Sequence, residues 1–225
     1  MRSVYALIFL GGMQMKKINE ITLILRGFSK EEALLIANEA SKYNCFNLEI
    51  TTNTPDWENI INSLIEASFN NVPIGAGTVL NTELLNRAIS AGAQFVLSPI
   101  MMTKEMLEIC DNKGIISVPA GFSPSEIWDM RANGADIIKV FPASRLSPKY
   151  ISDILAPLGK IPLMVVGGIN SDNLLEYMKA GAAYSGIGSS FCSHQLLMSG
   201  DITELQESLK KFSDIINAYH VMTKI

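Results

Sequence analysis

Lys139 stands inside an apolar run, Asp136, Ile137, Ile138, Lys139, Val140, Phe141 and Pro142, with the length and composition of a β-strand. Side chains alternate across a strand, so Ile137, Lys139 and Phe141 share one face and Ile138 and Val140 the other. With Ile138 and Val140 against a helical layer, Lys139 faces the interior. Lysine is almost never fully buried unless paired. Two chemistries fit: an interior ion pair, or an amine that burial keeps neutral and that attacks a ketone. The segment Asn47, Leu48, Glu49, Ile50 and Thr51 supplies a carboxylate by the same alternation, with Asn47, Glu49 and Thr51 inward. Glu49 could pair with the lysine, or move protons as a carbinolamine forms, loses water and a carbon–carbon bond breaks. Arg26-Gly27 ends an earlier strand candidate. Its guanidinium suits two-pronged contact with a carboxylate, or a rim salt bridge.

Glycine-rich strand ends supply a second kind of chemistry. Val166-Gly167-Gly168-Ile169 and Gly186-Ile187-Gly188-Ser189-Ser190 close the last two strand candidates. In β/α barrels the loops after these two strands often bind phosphate through backbone N–H groups. The Ser189 and Ser190 hydroxyls are further donors. Gly75-Ala76-Gly77-Thr78 lacks the spacing and lysine of a phosphate P-loop. Its glycines instead let substrate approach, with Thr78 contacting a carboxylate or hydroxyl.

These residues need a scaffold that points strand ends at one site, and the chain has such a period. Short β-type runs alternate with amphipathic helix-length segments about every 25 residues. The strand candidates are 21–26, 46–52, 73–79, 94–98, 114–119, 136–141, 163–167 and 184–188, and the helical ones 30–42, 55–69, 81–91, 104–112, 124–132, 148–158, 171–180 and 202–218. Ser29 with Glu32 reads as a capping box. Thr54-Pro55, Ser123-Pro124 with Glu126, and Ser147-Pro148 read as caps followed by proline at the first helical position. Gly92, Gly134 and Gly181 stand at helix ends. Eight uninterrupted alternations predict a parallel sheet closed into a single-domain (β/α)8 TIM barrel, with an open doubly wound sheet as the alternative. Trp128 is expected to pack in the core, and Trp57 to line either the core or the site mouth.

Composition narrows the function class. Of 225 residues, 48% are hydrophobic and 18% charged, which excludes a disordered chain. A net charge of −4 without basic clusters argues against nucleic acid as a partner. Three widely spaced cysteines read as buried hydrophobes of a reduced cytoplasm. Two histidines, without metal-binding spacing, argue against a zinc site. The apolar run Val4–Leu10 is too short to span a membrane and makes a poor signal peptide. Residues 1–17 are therefore expected to be an extension ahead of a barrel domain over residues 18–225, in a cytoplasmic protein.

Several strings together resemble the class I 2-keto-3-deoxy-6-phosphogluconate / 6-phosphogalactonate aldolase family. They are Ile24-Leu25-Arg26-Gly27, Leu48-Glu49-Ile50, the run from Ile74 to Leu80, Ser98-Pro99, the run from Ile138 to Ala143, and Val166-Gly167-Gly168. The resemblance covers about Ile21 to Ala218. It implies that Lys139 is the Schiff-base lysine and Glu49 the acid/base glutamate. It places Arg26, Asn53, Thr78 and Pro99 at the substrate, and Gly167, Gly168, Gly188, Ser189 and Ser190 at its phosphate. Implied products are pyruvate and D-glyceraldehyde 3-phosphate, with no metal or organic cofactor and a homotrimeric assembly. Gluconate-type members carry arginine where Asn53 stands and threonine where Val166 stands. The run from Glu49 to Trp57 is instead similar to the galactonate-type branch, leaving Arg26 as the cation for the substrate carboxylate. The alternatives are a 4-hydroxy-2-oxoglutarate aldolase giving pyruvate and glyoxylate, and a non-catalytic sugar-phosphate binder on the same scaffold.

Overall fold

Strand alternation produces two apolar clusters, one inside the other. Ile18, Phe95, Leu97, Ile116, Val118, Ile137, Met164 and Val166 form an inner cluster. Leu48, Ile50, Ile138, Val140, Leu163 and Val165 belong to an outer one, shared with the helices. Odd and even positions of one strand thus feed different cores, as expected of a sheet covered by helices and closed on itself. Fully burying each large aliphatic or aromatic side chain contributes about 1.5–3 kcal/mol. That offsets the cost of the few polar groups enclosed with them.

The computed structural model describes residues 17–188, 190–192, 197 and 200–223. Its strands are β1 (Ile21–Leu25), β2 (Phe46–Thr51), β3 (Ile74–Gly77), β4 (Phe95–Leu97), β5 (Ile116–Val118), β6 (Ile138–Val140), β7 (Leu163–Val166) and β8 (Tyr184–Ile187). Helices α1 (Lys30–Ala40), α2 (Trp57–Ala67), α3 (Thr82–Ser90), α4 (Lys104–Lys113), α5 (Pro124–Ala132), α6 (Pro148–Leu158) and α7 (Leu174–Lys179) each follow the strand of the same number, and α8 (Thr203–Thr223) follows β8. All strand pairs are parallel, in the order β5-β4-β3-β2-β1-β8-β7-β6. Closure comes from the ends: Ala120 bridges Lys139, the Lys139 N–H donates to Pro119 O at 2.8 Å, and Gly121 N–H donates to Lys139 O at 2.9 Å. The expected eight-stranded, single-domain TIM-barrel fold is present, and the open sheet is excluded.

Strands are shorter than expected at their C-terminal ends, and β3 to β6 at their N-terminal ends as well. The capping boxes at Ser29/Glu32 and Ser123/Glu126 are present, and Gly92, Gly134 and Gly181 take positive φ. The cap expected at Thr54-Pro55 is not there. Helix α2 starts at Trp57 behind Asp56, which has left-handed backbone and no side-chain cap bond, because the Thr54 hydroxyl is engaged across the rim. Ser147 precedes α6 but makes no side-chain cap bond. Trp128 is 53% exposed rather than packed, since Ile127 and Met130 hold the buried face of α5. Residues 1–16 lie outside the described residues, and Ile18 is already buried in the inner cluster.

Candidate active site

Glu49 on β2 and Lys139 on β6 both enter the barrel interior, 2% and 5% exposed. Their alternation partners Leu48, Ile50, Ile138 and Val140 lie in the outer cluster, as the sequence pattern requires. Room for the glutamate is made by Gly77. A Cβ there would lie 1.5 Å from Glu49 Oε1, so the carboxyl fills the space a side chain on β3 would take. Glu49 Oε2 is buried with no hydrogen-bond partner among the described residues. The Phe141 ring lies 4.8 Å from Lys139 Nζ.

Electrostatics push this pair towards its uncharged forms. Burial raises the Glu49 carboxyl above the usual carboxylate range, against the pull of the Lys139 and Arg26 charges. Burial lowers Lys139 below the usual lysine range. Glu49 opposes that shift and the Arg26 guanidinium adds to it. A neutral amine beside a protonatable carboxyl, with one carboxyl oxygen unengaged, can add to a carbonyl and exchange the protons that addition requires.

Arg26 leaves the end of β1 exposed at the rim, close enough for its charge to act on both groups. Gly27, at φ +77°, turns the chain after it, and its N–H donates to Thr54 Oγ1 at 2.9 Å. Thr54 is 3% exposed, and its hydroxyl is also bonded to Thr51 Oγ1 at 3.0 Å. Thr54 thus ties the arginine turn to the end of β2, a role hidden in the sequence behind the apparent cap before Pro55. Asn53 is exposed between these anchors. Thr78 holds φ +59°, a costly conformation for a β-branched residue, and its carbonyl accepts the Thr52 hydroxyl at 2.8 Å. Pro99 is half-buried after β4, beside a buried Ser98 that accepts the Ile100 N–H at 3.2 Å.

Gly167 and Gly168 take φ +94° and +75° after β7. Every carbonyl of this turn has a donor: Ser144 N–H to Gly167 O (2.9 Å), Asn173 Nδ2 to Gly168 O (2.9 Å) and Ser190 Oγ to Ile169 O (3.1 Å). The N–H groups of Gly168 and Ile169 form no hydrogen bond among the described residues. Such a turn offers donors to an anion. Ser190 stands next to it as expected, but its hydroxyl engages Ile169 O and links the two loops. Gly188 follows β8 with open space on its Cβ side, and Ser189 lies outside the described residues. Ser144 and Asn173 carry no motif and emerge only from the fold.

Other chemistry is thin. Burial pushes the Cys45 and Cys192 thiols up to about 12, so neither is a nucleophile near neutral pH. No group of three or more His, Cys, Asp or Glu able to hold a metal occurs among the described residues. Trp57 joins the outer core, with the Arg87 guanidinium 5.4 Å from its ring, and does not line the mouth. The groove at the opposite barrel end, about 490 Å³ beside Ile18, Pro73 and Ile116, holds no acid–base pair. Among the described residues no helix is long and apolar enough to cross a membrane.

A family model described as KDPG and KHG aldolase matches residues 13–208. The chain belongs to this family. It is 31% identical over 178 residues to the 2-dehydro-3-deoxy-6-phosphogalactonate aldolase of Escherichia coli K12, covering 79% of this chain and 86% of that protein. It is 28% identical to a 2-dehydro-3-deoxy-phosphogluconate aldolase of Haemophilus influenzae, over 83% of this chain and 87% of that one. A solved structure described as native KDPGal superposes with a TM-score of 0.79 at 27% identity, covering 91% of this chain and 100% of that one. A KDPG aldolase from Legionella pneumophila, with pyruvate captured as a covalent carbinolamine, gives a TM-score of 0.74 at 27% identity, over 85% and 92%. The protein is an aldolase of the KDPG/KHG family, whose relatives are named for 2-dehydro-3-deoxy phosphosugar acids.

Proposed function

We propose that this aldolase works through a Schiff base on Lys139 and cleaves a 2-keto-3-deoxy-6-phospho sugar acid to pyruvate and D-glyceraldehyde 3-phosphate. The observation that carries this is the buried Glu49–Lys139 pair at the mouth of the barrel, both groups pushed towards neutrality. The neutral amine adds to the C2 ketone, and Glu49 supplies the proton for loss of water from the carbinolamine. Removal of the C4 hydroxyl proton breaks the C3–C4 bond and sends its electron pair into the iminium. The aldehyde leaves, the enamine takes a proton at C3, and water releases pyruvate. Arg26 holds the substrate carboxylate, Asn53, Thr78 and Pro99 shape its surroundings, and Gly167, Gly168, Gly188, Ser189 and Ser190 hold the phosphate. No metal or organic cofactor enters the sequence. The carbinolamine captured on the Legionella relative supports the covalent step.

The galactonate epimer is the preferred substrate in this reading. Val166 is buried in the inner cluster beside the lysine strand, and Asn53 is uncharged. A homotrimer is part of this proposal; exposed Leu80, Ile100, Phe122, Trp128 and Phe141, on the loops after β3 to β6 and on α5, are apolar surface that a partner copy could cover. The three buried free cysteines suit a cytoplasmic enzyme.

Pyruvate with borohydride should label the protein at Lys139, and kcat/KM should favour the phosphogalactonate over the phosphogluconate substrate. An unlabelled Lys139 sinks the mechanism, whereas equal kcat/KM values sink only the epimer assignment. Higher activity on 4-hydroxy-2-oxoglutarate than on either phosphorylated acid would favour the unphosphorylated reading.

A further inference from the structure

Ser144 sits on the short 3-10 turn Ala143–Arg145 that follows the lysine strand, one element away from the glycine turn after β7. The two turns are in direct contact. The Ser144 N–H donates to Gly167 O at 2.9 Å, and a Cβ built on Gly168 would lie 2.4 Å from Ser144 Cβ and 2.5 Å from its Oγ. The Ser144 side chain therefore lies directly over the Gly168 Cα, on ground that only glycine leaves free. It is exposed, and its hydroxyl forms no hydrogen bond among the described residues. The contrast with Ser190 is informative, because that hydroxyl is already engaged by Ile169 O.

The turn beneath Ser144 has its carbonyls tied to donors, and its Gly168 and Ile169 N–H groups are unengaged among the described residues. An anion seated there would meet the N–H groups of this turn first. The Ser144 hydroxyl, unengaged among the described residues, is a donor placed against that turn. We infer that Ser144 is a phosphate-recognition residue, its hydroxyl donating to the substrate phosphate beside the Gly168 N–H. This rests on the reading above that the substrate is phosphorylated. It adds a side-chain ligand from the lysine loop to the backbone donors of the β7 turn. Strand β6 and the turn that follows it then carry the nucleophile and a phosphate contact in turn, so that anchoring the phosphate also fixes the distance from phosphorus to the reacting carbonyl.

The test compares wild type, Ser144→Ala and Ser144→Thr on the phosphorylated 2-keto-3-deoxy acid and on 4-hydroxy-2-oxoglutarate, which has no phosphate, with inorganic phosphate as a competing ligand. Ser144→Ala should lower kcat/KM for the phosphorylated acid about tenfold, the size of one charge-assisted hydrogen bond, and weaken phosphate inhibition to match. Turnover of the unphosphorylated acid and borohydride labelling by pyruvate should stay at wild-type levels. Ser144→Thr should retain the phosphorylated activity. Equal losses on both substrates would mean that Ser144 only shapes the lysine loop, and no loss on either would remove it from the site; both overturn the inference. A wild-type protein that neither cleaves the phosphorylated acid nor binds phosphate would instead sink the functional reading itself.

Discussion

Asn47 and Glu49 are two residues apart on the same inward face of β2, both buried, and the chain treats them in opposite ways. Asn47, towards the N-terminal end of the barrel, accepts the Asn19 N–H at 2.7 Å and donates to Asn19 O, Ile21 O and Thr22 Oγ1 at 2.9, 3.2 and 3.1 Å. Glu49, one pleat nearer the mouth, has a carboxyl oxygen with no partner among the described residues. A buried polar group costs stability unless it is bonded. Asn47 therefore meets the ordinary requirement of a core, while Glu49 leaves it unmet at the place proposed for the chemistry. Stability and chemistry are divided along the barrel axis.

Four experiments test that division, in falling order of effect on turnover. Lys139→Met should abolish turnover and borohydride labelling while raising unfolding stability, because an enclosed amine is replaced by an apolar chain and burial keeps Glu49 towards its protonated form. An active Lys139→Met, or one that unfolds more easily, would break the contrast. Glu49→Gln should lower kcat by about 10²–10⁴-fold, the usual contribution of a positioned acid–base group. In the wild type, protonating Lys139 removes the nucleophile, so activity falls as pH drops through its lowered pKa. Ionising Glu49 removes the acid, so activity falls again as pH rises through its raised pKa. Glu49→Gln should lose the alkaline limb alone.

Thr54→Val should raise KM about 3–10-fold through loss of one hydrogen bond to the Arg26–Gly27 turn, with kcat little changed and Thr54→Ser close to wild type. A fall confined to kcat would place Thr54 with the acid–base group instead. Asn47→Ala should leave kcat/KM at the wild-type value and lower unfolding stability by about 1–3 kcal/mol, since its partners are left buried and unpaired. Chemical denaturation read beside activity separates the two outcomes.

The sequence carried the barrel, because period-2 alternation inside a strand–helix repeat is a regular signal. It also exposed Lys139 and Glu49, because each interrupts an apolar pattern at an inward position. Lone rim residues were harder to read. Thr54-Pro55 has the letters of a helix cap, yet a tertiary bond to Gly27 takes its hydroxyl. Ser190 was legible as a serine at a glycine turn, but its engagement with Ile169 depends on how two loops meet. Trp128 was expected inside from its size, whereas the phase of α5 turned it outward. Ser144 offered no signal, since nothing in its own segment says that the next strand ends in glycine beside it.

Gly77 has one more consequence. The Glu49 carboxyl occupies the volume of a β3 side chain that is missing, with its Cδ 2.3 Å and its Cγ 2.7 Å from where a Cβ would be. The two positions consequently behave as a single heritable unit. A substitution scan would find Gly77 as intolerant as a catalytic residue because of the carboxyl it makes room for, and a larger residue there could return only alongside a shorter acid at position 49. Anyone transplanting the glutamate into another barrel would have to transplant the gap with it.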